Sequence, residues 1–90
     1  MMMLCDDCIL IIADSLSREA VEVLEVILRE QGLNRTEIEE RTGFSYAYTG
    51  KGLDELRYKF LINYETVGRS RCYGLTRIGY RLAELSTEVD

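Results

Sequence analysis

Two thiols near the start of the chain have the spacing of half a metal or redox site. Cys5 and Cys8 enclose two aspartates, and the chain has 3 cysteines but no histidine. A zinc site needs four ligands, so these two thiolates would require a second subunit to complete one. We expect instead that they are buried cysteines beside a dimer seam, with no metal and no cofactor.

Residues for catalysis are missing from the sequence pattern. Without histidine, the commonest general base is absent, and no nucleophile, base and orienting group stand at a recognisable spacing. Gly50-Lys51-Gly52 lacks the spacing and the preceding strand of a phosphate loop, while Glu37, Glu39 and Glu40 suggest a solvated helix face. We therefore do not expect an enzyme.

Positive charge is gathered in the middle of the chain. The net charge is −5, but residues 33–81 carry nine basic and six acidic side chains, whereas residues 1–32 carry seven acidic and two basic ones. Phosphate binding depends on Lys and Arg. The distribution therefore keeps nucleic acid open as a partner although the total charge argues against it.

Three features favour a cytoplasmic protein of one domain. Ninety residues are too few for two hydrophobic cores. The longest apolar run, residues 8–13, is too short to cross a bilayer and lacks the flanks of a secretory signal. An odd number of thiols fits no closed disulfide framework. We predict a core over residues 17–87 and an N-terminal extension over residues 1–16.

The first half of the core is predicted to be helical. Ser17 is the N-cap of a helix that Gly32 ends, and its apolar residues cover more than one face. The N-terminal segment or a second subunit would cover the surplus, and a helix over residues 4–16 is favoured over a short strand. A second helix runs from Asn34 or Arg35 to Thr42, with Leu33, Ile38 and the aliphatic part of Arg41 inward and Gly43 closing it.

A turn leads into a third helix, predicted from Tyr46 to about Phe60. Phe44 points to the core, Ser45 caps the helix, and its inward residues are Thr49, Leu53, Leu56 and Phe60. Gly50 and Gly52 each cost an interior helical position about 1 kcal/mol relative to Ala. A loop over residues 48–52, with the helix starting near Leu53, is therefore the alternative.

After Leu61 the apolar period changes from helical to alternating. Residues 62–67 and 71–75 read as two strands with Gly68-Arg69-Ser70 as the turn between them. Thr76 caps a last helix through about Leu85, whose inward residues would be Ile78, Leu82 and Leu85.

Residues 17–85 resemble the winged helix-turn-helix domains of the MarR and ArsR type and their small archaeal relatives. The resemblance is carried by Leu33 with Glu37-Ile38, Gly43-Phe44-Ser45, Leu53, Leu56, Leu61-Ile62, and Tyr73-Gly74-Leu75-Thr76 followed by Gly79, which is similar to the family's Y-x-L-T-x-x-G junction. Two positions depart from it: Phe60 stands where glycine is common, and Thr49 where an aliphatic residue is usual.

The resemblance implies a mainly α fold with a hairpin wing and a DNA-binding transcriptional regulator. Helix 46–60 would enter the major groove of duplex DNA while the wing at 62–75 touches the neighbouring backbone. The predicted DNA contacts are Ser45, Tyr46, Ala47, Tyr48, Gly50, Lys51, Arg69, Ser70 and Arg71, with Arg35, Arg57 and Lys59 as phosphate contacts.

Three alternatives stay open at this point. The two tyrosines of the third helix would serve equally as a half-buried core edge, and Arg35 and Arg57 as partners of nearby glutamates. A homodimer through the N-terminal segment and the first core helix is expected, reading two half-sites. The competing function is a winged helix that contacts proteins and does not bind DNA, because the total charge is acidic.

Overall fold

Five helices and one hairpin make up the part of the chain that the computed structural model describes, residues 5–88. In chain order the elements are α1 (Asp6–Asp14), α2 (Arg18–Arg29), α3 (Arg35–Thr42), α4 (Tyr46–Tyr58), β1 (Ile62–Val67), β2 (Ser70–Leu75) and α5 (Arg77–Glu88). The predicted order is confirmed. Residues 4–16 contain the helix that we favoured, although Met1–Leu4 lie outside the described residues.

Polar side chains cap the starts of three helices, and the sequence predicted two of these caps, Ser17 and Ser45. The hydroxyl of Ser17 accepts from the Ala20 amide, and that of Ser45 accepts from the Tyr48 amide. Asn34 and Glu37 form a reciprocal capping box at the start of α3. These bonds satisfy amide groups that have no partner inside the helix, and they fix where α2, α3 and α4 begin.

The core lies between α2, α4 and the base of the hairpin. Its fully buried side chains include Val23, Ile27, Ile38, Leu53 and Leu56. Thr49 is also completely buried, and its hydroxyl has no hydrogen-bond partner among the described residues. Helix α2 packs mainly on α4, while Val21 and Leu28 on α2 stay exposed.

Phe60 is not a core residue, and this corrects the sequence prediction. Its side chain is 55% exposed, and its φ of 62° is the only positive value of a non-glycine residue in the described part. The amide of Leu61 donates to the carbonyl of Leu56, and the amide of Phe60 donates to the carbonyl of Arg57. This pair of hydrogen bonds is typical of a helix that ends at a left-handed residue. Phe60 thus occupies the place where a glycine is usual.

A second correction concerns Arg41. Its side chain is 40% exposed, and its Nε lies 2.7 Å from a carboxylate oxygen of Glu30. Arg41 is therefore an exposed residue of α3 and not an inward-facing one. The pKa of Arg41 is raised, chiefly by the hydrogen bond to Glu30. Arg41 ties the outside of α3 to the end of α2.

The junction between hairpin and α5 explains one glycine of the sequence motif. The Thr76 amide donates to the Leu61 carbonyl at 3.1 Å, and the Thr76 hydroxyl bonds to the Phe60 carbonyl. A Cβ at Gly79 would collide with that same Leu61 carbonyl. Glycine is needed here for the close approach of α5 to the chain entering β1.

The N-terminal helix packs on the C-terminal one. Ile9 of α1 is buried, and the carboxylate of Asp6 accepts hydrogen bonds from Nε and Nη2 of Arg81 at 3.0 and 2.8 Å. Leu10 and Ile11 remain 37% and 67% exposed. Within residues 5–88, no helix is both long and apolar enough to span a membrane.

Candidate nucleic-acid interface

The start of α4 projects polar and aromatic side chains from the core. Helices α3 and α4 are joined by the three residues 43–45, in which Gly43 has a φ of 77° and Phe44 is half-buried. Leu53 and Leu56 hold the inner face of α4 against α2. The outer face of its first turns exposes Tyr46, Ala47, Tyr48 and Lys51, together with Ser45 before them.

The helix is continuous across both glycines, so the loop alternative is wrong. The predicted exposure of Gly50 is also wrong, because Gly50 is buried under the guanidinium of Arg35. That guanidinium donates to the Tyr46 carbonyl at 2.6 Å and lies 3.5 Å from the centroid of the Tyr46 ring. Arg35 therefore orders the first turn of α4, a role that the sequence did not indicate.

The two tyrosines of α4 are both supported and accessible. Tyr46 is 68% exposed above Arg35. Tyr48 is 43% exposed, and its ring meets that of Phe44 edge-on at 4.9 Å. Neither is a core residue. Because each ring packs against a neighbouring side chain, less side-chain entropy is lost when a ligand binds.

The hairpin presents its cations at a two-residue turn. Val67 pairs with Ser70, so Gly68 and Arg69 form the turn, one residue shorter than predicted. Gly68 has a φ of 63° and Arg69 does not have a positive φ, as in the type II′ turn that suits twisted strands. Arg69, Ser70 and Arg71 are all exposed, and they form the tip of the wing.

A cation stack joins the wing to α4. The guanidinium of Arg57 lies 4.7 Å, and that of Arg71 lies 4.5 Å, from the ring centroid of Tyr64 on β1. Tyr64 is half-buried and packs against Tyr73, its partner on β2. The Tyr64 ring thus contacts two positive charges. Sequence analysis missed this cluster because the three residues come from separate elements.

Comparisons with known proteins identify the fold. No family model and no curated protein matches the sequence. Among solved structures, TubR from Bacillus megaterium superposes with a TM-score of 0.79 at 19% identity, covering 91% of this chain and 98% of that one. MepR of Staphylococcus aureus in complex with DNA gives 0.77 at 25% identity, covering 92% and 70%.

Another MepR structure, of the transcription regulator of the S. aureus efflux pump MepA, gives a TM-score of 0.76 at 22% identity. The chain spans 59% of that protein's length. PcaV, a transcriptional regulator from Streptomyces coelicolor, gives a TM-score of 0.72 at 22% identity, and the chain spans 52% of its length. The chain has the winged helix-turn-helix fold. The fold predicted from sequence is thereby confirmed, with α3 and α4 as the helix-turn-helix and β1–β2 as its wing.

Two carboxylates lie close to the positive charge on α4. Nζ of Lys51 lies 3.8 Å from a carboxylate oxygen of Glu19, whose side chain is 12% exposed, whereas that of Lys51 is 73% exposed. Asp54 is exposed one turn further along α4. The Lys51 side chain therefore remains accessible beside a largely buried carboxylate.

Lys59 points away from the wing. Its ammonium donates to the carbonyl and hydroxyl of Ser15, both at 3.0 Å, and lies 3.2 Å from Glu55. Glu55 also accepts from the Ser17 amide and hydroxyl at 2.8 and 2.6 Å. Burial acts to raise the pKa of Glu55, but these hydrogen bonds from Ser17 and Lys59 outweigh it and leave that pKa lowered. Lys59 is a structural residue that fastens α4 to the α1–α2 connection.

The cysteines lie apart from this surface. Cys5 and Cys8 are exposed at the start of α1, which corrects the expectation that they are buried, and Cys72 is partly buried on β2. Over residues 5–88, no three Cys, Asp or Glu side chains are grouped as a metal site would need.

Proposed function

We propose that this winged helix is a DNA-binding transcriptional regulator. The observation that carries the proposal is the group of positive side chains where α4 meets the wing: Arg57 and Arg71 both contact the Tyr64 ring, and Arg69 is exposed at the wing tip. The structural likeness to MepR, which has been solved in complex with DNA, supports it. We propose no enzymatic activity.

In this proposal the two parts of the surface have different roles. Tyr46, Ala47, Tyr48 and Lys51 face the major groove, where hydroxyl, methyl and ammonium groups contact base edges. Ser45 offers a hydroxyl to phosphate. Arg69, Ser70 and Arg71 follow the neighbouring backbone or minor groove, which attracts arginine. Arg57 is a phosphate contact behind them, whereas Arg35 acts by positioning Tyr46.

The regulator is proposed to act as a homodimer through α1 and α2. Leu10 and Ile11 of α1, and Val21 and Leu28 of α2, are large apolar side chains left 37–67% exposed in the single chain. Covering them would bury apolar surface and give two recognition helices for two half-sites. Sedimentation equilibrium should show a dimer that Ile11→Glu converts to monomer, while Val67→Glu on the wing leaves it intact.

The test of DNA binding is a salt titration with a labelled duplex of random sequence. Anisotropy should show binding at low salt, with log K falling linearly as log salt rises. Replacing Arg69 and Arg71 by alanine should reduce that slope by about 2 for each protomer bound, and hence by about 4 for a dimer, since each phosphate contact contributes about 1. Arg29→Ala, an exposed arginine on α2, is the matched control and should leave the slope unchanged.

A protein-binding winged helix is the second candidate function. It is favoured by the net charge of −5 and by two exposed aromatic side chains, Tyr58 at 87% and Phe60 at 55%. The titration separates the two candidates, because a protein-binding module shows no duplex binding even at low salt. For a regulator of duplex DNA we propose a cytoplasmic site, which suits a chain whose three cysteines are free thiols.

A further inference from the structure

Cys5 and Cys8 form a pair of thiols across the first turn of α1. Cys5 is the N-cap residue of that helix and Cys8 is its third residue. Their sulfur atoms lie 3.0 Å apart in a hydrogen bond, and both side chains are exposed. The two sulfurs are therefore already in contact at the surface, where a small reagent can reach them.

The distance is close to what a covalent link requires. A disulfide bond is about 2.05 Å long, so the sulfurs must approach by about 1 Å, which exposed side chains can do by small rotations. The loop to be closed contains just Asp6 and Asp7. Asp6 is held by Arg81 of α5, which keeps the turn between the cysteines in place.

The two thiols are also chemically unequal. The hydrogen bond with Cys8 lowers the pKa of Cys5, and the same interaction raises the pKa of Cys8. The amides at the start of α1 further favour a thiolate at Cys5. Cys5 is thus the better attacking group, with Cys8 beside it as the resolving thiol.

We propose that Cys5 and Cys8 are a redox-active dithiol site that reacts reversibly with low-molecular-weight disulfides. The Cys5 thiolate attacks one sulfur of the small disulfide, forms a mixed disulfide and expels a small thiolate. The Cys8 sulfur then attacks Cys5 sulfur, its proton passes to the solvent, and a second small thiolate leaves. The protein dithiol is oxidised to an intrachain disulfide while one small disulfide is reduced to two thiols.

The third cysteine provides an internal control. Cys72 lies on β2, opposite Glu65, and is partly buried. Among the described residues, the Cys72 sulfur makes no hydrogen bond to another sulfur. The proposal therefore assigns the reaction to the pair at α1 and leaves Cys72 as a thiol.

The experiment equilibrates the full chain in buffers of graded oxidised and reduced glutathione, followed by acid quenching, alkylation and mass spectrometry. In wild type and in Cys72→Ser, two thiols should become unavailable for alkylation together. The protein mass should fall by that of two hydrogens, and no glutathione should be attached. In Cys8→Ser a glutathione adduct should accumulate on Cys5. In Cys5→Ser no intrachain disulfide should form.

Several outcomes would overturn the proposal. These are full alkylation of all thiols in every buffer, glutathione adducts that persist in wild type, disulfides between chains, or an intrachain disulfide that disappears in Cys72→Ser. Circular dichroism of each variant checks that the exposed substitutions leave the fold intact. The readout does not involve DNA, so its result is independent of the proposed function.

Discussion

The guanidinium of Arg71 lies 4.5 Å from the centre of the Tyr64 ring, on the neighbouring strand of the wing. Arg57 of α4 lies 4.7 Å from the same ring. Cation–π contacts at exposed sites contribute about 0.5–1 kcal/mol each. Their effect here is to fix two positive charges that would otherwise be mobile at the place where helix and wing meet.

Removing that ring should weaken DNA binding. Tyr64→Leu keeps an apolar side chain against Tyr73 but leaves both arginines without a platform, and we expect Kd for duplex DNA to rise about 3- to 10-fold. Tyr64→Phe retains the ring and should bind like wild type. Equal affinity of the leucine and phenylalanine variants would show that the stack plays no part in binding.

The left-handed residue at the end of α4 should prefer glycine to alanine. Gly is normally about 1 kcal/mol worse than Ala inside a helix, but a φ of 62° at Phe60 penalises any residue with a Cβ. We therefore expect Phe60→Gly to be more stable than Phe60→Ala by about 1 kcal/mol. Urea unfolding of the two variants measures the difference, and the opposite order would refute the helix-stop assignment.

Thr49 offers a stabilising substitution. Its hydroxyl is buried in the core, and the described residues provide no hydrogen-bond partner for it. Thr49→Val has the same shape without the desolvated hydroxyl, so the free energy of unfolding should rise by about 1 kcal/mol. Thr42→Val is the contrasting variant, because the Thr42 hydroxyl donates to the Ile38 carbonyl at 2.9 Å. A loss of stability in Thr49→Val would mean that its hydroxyl is satisfied.

The Glu55 network predicts a loss of stability in acid. The folded-state pKa of Glu55 lies below its ordinary value of 4.5. Its contribution to the free energy of unfolding is therefore complete above pH 4.5, and it is lost as the pH falls from there through the lower pKa of the folded state. Glu55→Gln, which cannot ionise, should be less stable than wild type at neutral pH, with a difference that shrinks in acid. Urea midpoints across this range test it, and a constant difference would contradict the assignment.

The sequence was sufficient for the elements whose signals are local. Ser17 and Ser45 cap helices where their side chains can reach the next turn, and the alternation after Leu61 predicted the wing. These signals depend on residues that are close to one another in the chain, so they can be read from a single sequence.

The errors arose where distant parts of the chain meet. Helical spacing continued the apolar face to Phe60, but the chain must turn into β1 there, and the bond from Leu61 to Leu56 stops the helix. Gly50 was expected at the surface because its cover, Arg35, comes from another helix. The stack on Tyr64 needs three elements at once, and no periodicity in a single segment can indicate it.

The most direct test of the account is to map DNA on the protein by NMR. A labelled chain is titrated with a short duplex while backbone amide shifts are followed. If α4 and the wing bind DNA, the changes should be concentrated in residues 45–51 and 68–71 and around Arg57 and Tyr64, with α5 and the α1 thiols little affected. Unchanged spectra at low salt, or changes confined to α1 and α5, would contradict it.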